Sequence, residues 1–90
     1  MGVRKHLVFQ FLPEDRAQIA AALGAHPAIG PAEAEGALVR YHVAAGDSTC
    51  LVELGSDHGA VVFTPGDGDA AASLAQDVLT ESGAVFAGCC

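Results

Sequence analysis

The sequence predicts an α+β two-layer sandwich. Its elements run β-α-β-β-β-α, with room for a final β, around an antiparallel sheet that carries both helices on one face. Three observations predict this. Four runs alternate apolar and polar residues with period two, as half-buried strands do. Two stretches instead space their apolar residues as helices do. Short turns bearing Gly and Asp join the middle three strands, and turns that short require antiparallel neighbours.

The first run is Lys5-His6-Leu7-Val8-Phe9-Gln10-Phe11-Leu12. Leu7, Phe9 and Phe11 form its heavier apolar side and are expected to face the core. His6, Val8 and Gln10 form the other side. Pro13 stops the strand, because it has no N–H for the ladder, and its fixed φ suits a first helical turn. Glu14 and Asp15 add negative charge where a helix N-terminus favours it. Arg16 to Leu23 has high helix propensity, with Ile19, Ala20 and Leu23 on one stripe. Gly24 is the expected stop, and Pro27 forbids much continuation. Residues 26–36 change to Pro, Ala, Gly and Glu and read as a surface connection, with room for a helical turn at 31–35.

Three strands follow closely. Ala37 to Ala44 places Val39, Tyr41 and Val43 on one face and Leu38, Arg40 and His42 on the other. Thr49 to Leu54 opposes Cys50, Val52 and Leu54 to Leu51 and Glu53. Gly59 to Thr64 keeps Val61 and Phe63 inside and turns Val62 outward. The connecting turns are Ala45-Gly46-Asp47-Ser48 and Gly55-Ser56-Asp57-His58. Pro65 to Asp69 then breaks the sheet, and Asp67 or Asp69 is expected to cap the second helix. That helix is predicted over 70–82, with Ala71, Leu74, Ala75 and Val78 as its apolar face and Leu79 at the margin. Gly83 ends it. Residues 84–90 read as a short last strand or a tail.

Ninety residues leave room for one core, so residues 1–88 are expected to be a single domain, with Cys89-Cys90 as a tail. Alanine takes 18 positions. Leu, Ile, Val and Phe together take 23, about a quarter of the chain and enough for an ordered core. Eleven acidic residues against four basic ones give a net charge of −7, which disfavours a nucleic-acid partner. Every uncharged apolar run falls short of the ~20 residues of a membrane span. The N-terminus leads straight into a strand pattern without a signal-peptide h-region. A cytoplasmic protein with no membrane partner is the expectation.

Two helices cannot cover both faces of such a sheet, so one face stays open. Alternation assigns to it His6, Val8, Gln10, Leu38, Arg40, His42, Leu51, Glu53 and Val62. The polar members His6, Gln10, Arg40, His42 and Glu53 are the candidate binding residues. They fit a solvated face with cross-strand pairs such as Arg40 to Glu53. With the apolar members they also fit an interface, with a partner protein or with a second copy as a homodimer. Glu53 beside His42 would make an acid/base pair if the register brought them together.

Catalytic signatures are not evident. The four histidines are widely spaced, with no H-x-x-x-H and no C-x-x-C, so no metal site and no cofactor is expected. Asp67-Gly68-Asp69 alternates carboxylates as calcium loops do, yet the Glu that such a loop needs six residues after its glycine is replaced by Leu74. No phosphate-binding glycine loop and no Gly-x-Ser-x-Gly occurs. The chain is therefore expected not to be an enzyme.

The cysteines divide into two kinds. Cys50 falls on the core side of its strand, where a free thiol behaves as a small apolar group. Cys89 and Cys90 are adjacent at the end and follow Gly88. Two neighbouring thiolates are soft-metal donors but fill only half of most sites. In these last residues the chain resembles precursors of ribosomally made peptides, whose C-terminal core holds the cysteines, and small sulfur carriers, whose flexible end enters a partner enzyme. The terminal Gly-Gly of the carriers is absent. The resemblance implies a scaffold or carrier domain that presents Cys89 and Cys90 to a modifying enzyme. The alternative expectation is an acidic interaction domain, such as an immunity or inhibitor protein, that meets a basic toxin or target through the open face.

Overall fold

Period-two alternation becomes the two sides of one sheet. The computed structural model describes residues 4–89, with side chains for residues 4–88. Along the chain lie β1 (Lys5–Gln10), a 3-10 turn (Pro13–Asp15), α1 (Arg16–Ala25), β2 (Glu33–Glu35), β3 (Leu38–Ala45), β4 (Ser48–Leu54), β5 (His58–Phe63), α2 (Asp69–Glu81) and β6 (Val85–Cys89). The six strands form one sheet in the order β2-β3-β4-β5-β1-β6. Each neighbouring pair is antiparallel. The α+β class and the element order match those read from the sequence.

One face of the sheet and both helices share a single apolar cluster. Phe9, Tyr41, Val43, Val52, Leu54 and Val61 come from the strands, and Ile19, Leu23, Ala71, Ala75 and Leu79 from the helices. Burying a large aliphatic side chain of this kind contributes ~1.5–3 kcal/mol relative to exposure. Three alanines, Ala71, Ala72 and Ala75, are buried on α2. Their small size lets α2 lie close over β3, β4 and β5. Leu79 is 1% exposed, so it sits inside the packed face and not at its margin, while Leu74 and Val78 are only partly buried. Two polar tethers fix α1. Arg16 Nε donates to the Gly55 carbonyl at 2.8 Å, and Gln18 Nε2 donates to the Ser82 carbonyl at 3.1 Å.

Segment 31–35 differs from its expected form. Glu33–Glu35 is an edge strand, with Glu33 opposite Arg40 and Glu35 opposite Leu38. The cause is the turn that follows. Gly36 has φ +60 and opens a two-residue loop with Ala37, the positive-φ position that hairpin turns of this length need. Gly46, at φ +66, does the same between β3 and β4. Further back, the Gly30 N–H donates to the His42 carbonyl and the Ala44 N–H to the Ala28 carbonyl. The supposed surface connection is thus stitched along β3.

Two helix boundaries also differ. Gly24 lies inside α1, which runs to Ala25 and ends at an extended His26. Neither Asp67 nor Asp69 caps α2. Gly68 occupies the cap position without a side-chain bond, and Ser48 Oγ, from the β3–β4 turn, accepts the Ala71 N–H at 3.0 Å. Asp69 still adds favourable negative charge to the first turn.

Candidate interaction face

Register builds the open face strand by strand. The β3–β4 turn pairs Ala45 with Ser48, and counting outward from it sets His42 opposite Leu51 and Arg40 opposite Glu53. β5 continues these rows, with Val62 beside Leu51 and Ala60 beside Glu53. β1 extends them, with His6 beside Val62, Val8 beside Ala60 and Gln10 beside His58. One row across four strands therefore reads His6, Val62, Leu51, His42. All five candidate residues, His6, Gln10, Arg40, His42 and Glu53, share this side of the sheet by alternation.

They do not all meet. Arg40 is the one that gathers partners. Its Nε donates to Glu53 Oε2 at 3.0 Å, and its Nη1 donates to Glu35 Oε2. Glu53 is thus held by Arg40, and its expected juxtaposition with His42 does not form. His42 Nε2 instead lies 3.5 Å from Glu33 Oε2. His6 and Gln10 stand on β1, two strands away from β4. Glu33 and Glu35 are not among the expected candidates, because Glu-Ala-Glu has no strand pattern of its own. The Gly36-Ala37 pair followed by the alternating run of β3 was the available signal. His58, expected in a turn, opens β5 and joins the same face, with its Nδ1 2.8 Å from Asp57 Oδ1.

Three glutamates outnumber Arg40 on this face, but each has a basic side chain beside it. Arg40 sits between Glu35 and Glu53, and Glu33 faces His42. The remaining eight carboxylates lie on α2, the 3-10 turn and the loops. The face also holds an open basin of about 450 Å³, floored by Leu51 and Val62 and bordered by Arg4, His42, Thr49 and Thr64. A smaller one, about 170 Å³, lies between Val8, Leu38, Glu53, His58 and Ala60. The arrangement can offer an apolar floor and a rim of fixed charges to another surface.

The cysteines separate as follows. Cys50 is 8% exposed on the helix side of β4, and burial pushes its thiol up to about 11. Cys89 is the last residue of β6, its backbone opposite Leu7. Its side chain, and Cys90 altogether, lie outside the described residues. No group of three or more His, Cys, Asp or Glu side chains that could hold a metal occurs among the described residues. No helix among them is long and apolar enough to cross a membrane.

Comparison with protein-family models, with curated proteins and with solved structures yields no match for this chain.

Proposed function

We propose that the protein is a non-catalytic interaction domain whose open sheet face docks a basic partner protein. The single observation behind this reading is the contrast between that face and the rest of the surface. Arg40 bridges Glu35 and Glu53 there beside apolar Leu51 and Val62, leaving that cluster one negative charge, while most carboxylates lie elsewhere. A chain of net charge −7 draws a cationic partner from a distance, and a face with its own charges already paired loses little on desolvation. An immunity or inhibitor protein facing a basic toxin would use such a division of labour. A cytoplasmic setting belongs to the proposal, since buried free Cys50 suits a reducing compartment.

The test is affinity purification from the native host with three baits, the wild type, Leu51→Lys, and a chain ending at Gly88. Recovery of one basic protein by the wild type and the truncated chain, lost at least tenfold with Leu51→Lys, supports the reading. Equal recovery with Leu51→Lys rejects it.

A second reading keeps the chain non-catalytic but makes its end the working part, a scaffold or carrier presenting Cys89 and Cys90 to a modifying enzyme. The position of β6 as an outer strand favours it, because Cys89 is the last residue of that strand. Intact mass of the protein from its own host tests this directly. An added or lost mass localised to the last two residues supports it, and an unmodified, untrimmed end rejects it.

A further inference from the structure

The two edges of the sheet are managed in opposite ways. A free edge presents unpaired N–H and C=O groups, and proteins guard it with short strands and charges. β2 is guarded in this manner, being three residues long with exposed Glu33 and Glu35. β6 at the other edge has a bulge but no such charges. Its segment Val85–Cys89 carries no charge. No further strand pairs with its outer side among the described residues. The large apolar side chains most exposed among the described residues gather at this same edge. Val85 is 67% exposed and Phe86 51% exposed, both on β6, and Leu12, just past β1, is 59% exposed. Phe86 leans edge-on against Phe9 at 5.5 Å and leaves its other side open.

We infer that β6 is the docking edge for a second copy of this chain, in an antiparallel β6–β6 pair that continues the sheet. Three features select a copy over another occupant. First, an antiparallel strand pair is two-fold symmetric, so the same apolar edge serves on both sides. Second, charge is arranged for that symmetry. Arg4 and Lys5 stand at the start of β1, next to the end of β6, and Glu14 and Asp15 stand just past its end. The two-fold lays the basic end of one copy alongside the acidic end of the other, whereas acidic chains repel in most other orientations. Third, the glutamates of β2 close the opposite edge, so pairing stops at two copies and does not run on into a fibre. The β1–β6 register shifts between Val8 and Phe9, so Ala87 bulges with two paired residues on each side of it, and the contact centres on the exposed pair Val85 and Phe86. Both copies would then keep their open faces on one side of a doubled sheet, free for a different partner. This inference is separate from the open-face reading and stands or falls without it.

Sedimentation equilibrium on the full chain at ~10–200 µM tests it, with the wild type, Val85→Asp and Leu51→Lys. Val85 is exposed, so its replacement spares the core, and far-UV circular dichroism checks that each variant is folded. The expected result is twice the chain mass for the wild type and Leu51→Lys, and the single mass for Val85→Asp. Slowed hydrogen exchange at residues 84–86 in the wild type, lost in Val85→Asp, would place the contact on β6. A monomeric wild type across the range overturns the inference. So does a dimer that survives Val85→Asp, or one that Leu51→Lys dissolves, which would assign self-association to the open face.

Discussion

Ser48 Oγ accepts the N–H of Ala71 at 3.0 Å, so a hydroxyl in the β3–β4 turn caps a helix that starts more than twenty residues later. The bond ties the tip of a hairpin to the first turn of α2. It also explains why α2 needs no cap of its own at Gly68. Removing the hydroxyl leaves an unpaired helix N–H. Ser48→Ala is expected to cost about 1 kcal/mol, within the range of ordinary cap deletions. Urea denaturation measures this, and faster amide exchange at Ala71 assigns the loss to the cap.

Gly68 reaches the same junction by a different route. A Cβ built there would lie 2.8 Å from Phe63 Cβ and 2.8 Å from the Thr49 carbonyl oxygen. Both obstacles are close to the backbone and cannot swing away. Gly68→Ala is therefore expected to lose roughly 1–3 kcal/mol, as overpacked sites do. Thermal unfolding is the measurement, and a variant as stable as the wild type would mean that the α2–sheet spacing is looser than described.

Cys50 gives a prediction in pH. Burial raises its thiol from 9.0 to about 11, so the folded state holds its proton longer than the unfolded state does. Below pH 9 both states are protonated and the thiol leaves stability unchanged. Between pH 9 and about 11 the unfolded chain binds fewer protons, and stability falls as pH rises. The full loss is on the order of 3 kcal/mol. Cys50→Ala should flatten this alkaline limb of a stability–pH curve. Native Cys50 should also resist alkylation at pH 8 and react readily in denaturant.

Arg40 is the only cation contacting Glu35 and Glu53 among the described residues. Arg40→Ala leaves two carboxylates on one patch without it. A loss of about 1 kcal/mol at low salt is expected, shrinking as salt rises, because the group is one-third exposed. Denaturation with and without added salt reads both parts. Arg40→Ala paired with Glu53→Ala should recover part of the loss, since the second change removes a stranded charge.

Local periodicity explains how far the sequence reading reached. In β3 and β4 the side of every residue is fixed by alternation, and a two-residue turn fixes the register. Arg40 opposite Glu53 was legible for that reason, while His42, diagonal to Glu53 in the same register, lies beside Glu33 instead. Glu33–Glu35 was not legible in this way. Glu-Ala-Glu has little strand propensity, and it becomes a strand only because Gly36 turns the chain back onto a β3 edge that is already formed.

By itself, the sequence determined the element order and the two sides of the sheet. Those depend on side-chain spacing within short segments. Only the tertiary structure decided that Ser48 and not an aspartate caps α2, that Arg40 and not His42 holds Glu53, and that Val85 and Phe86 are left uncovered at one edge while glutamates guard the other. Each of these depends on which distant segments meet, and a hydrogen bond, an ion pair or an unpaired edge exists only once the intervening chain has folded.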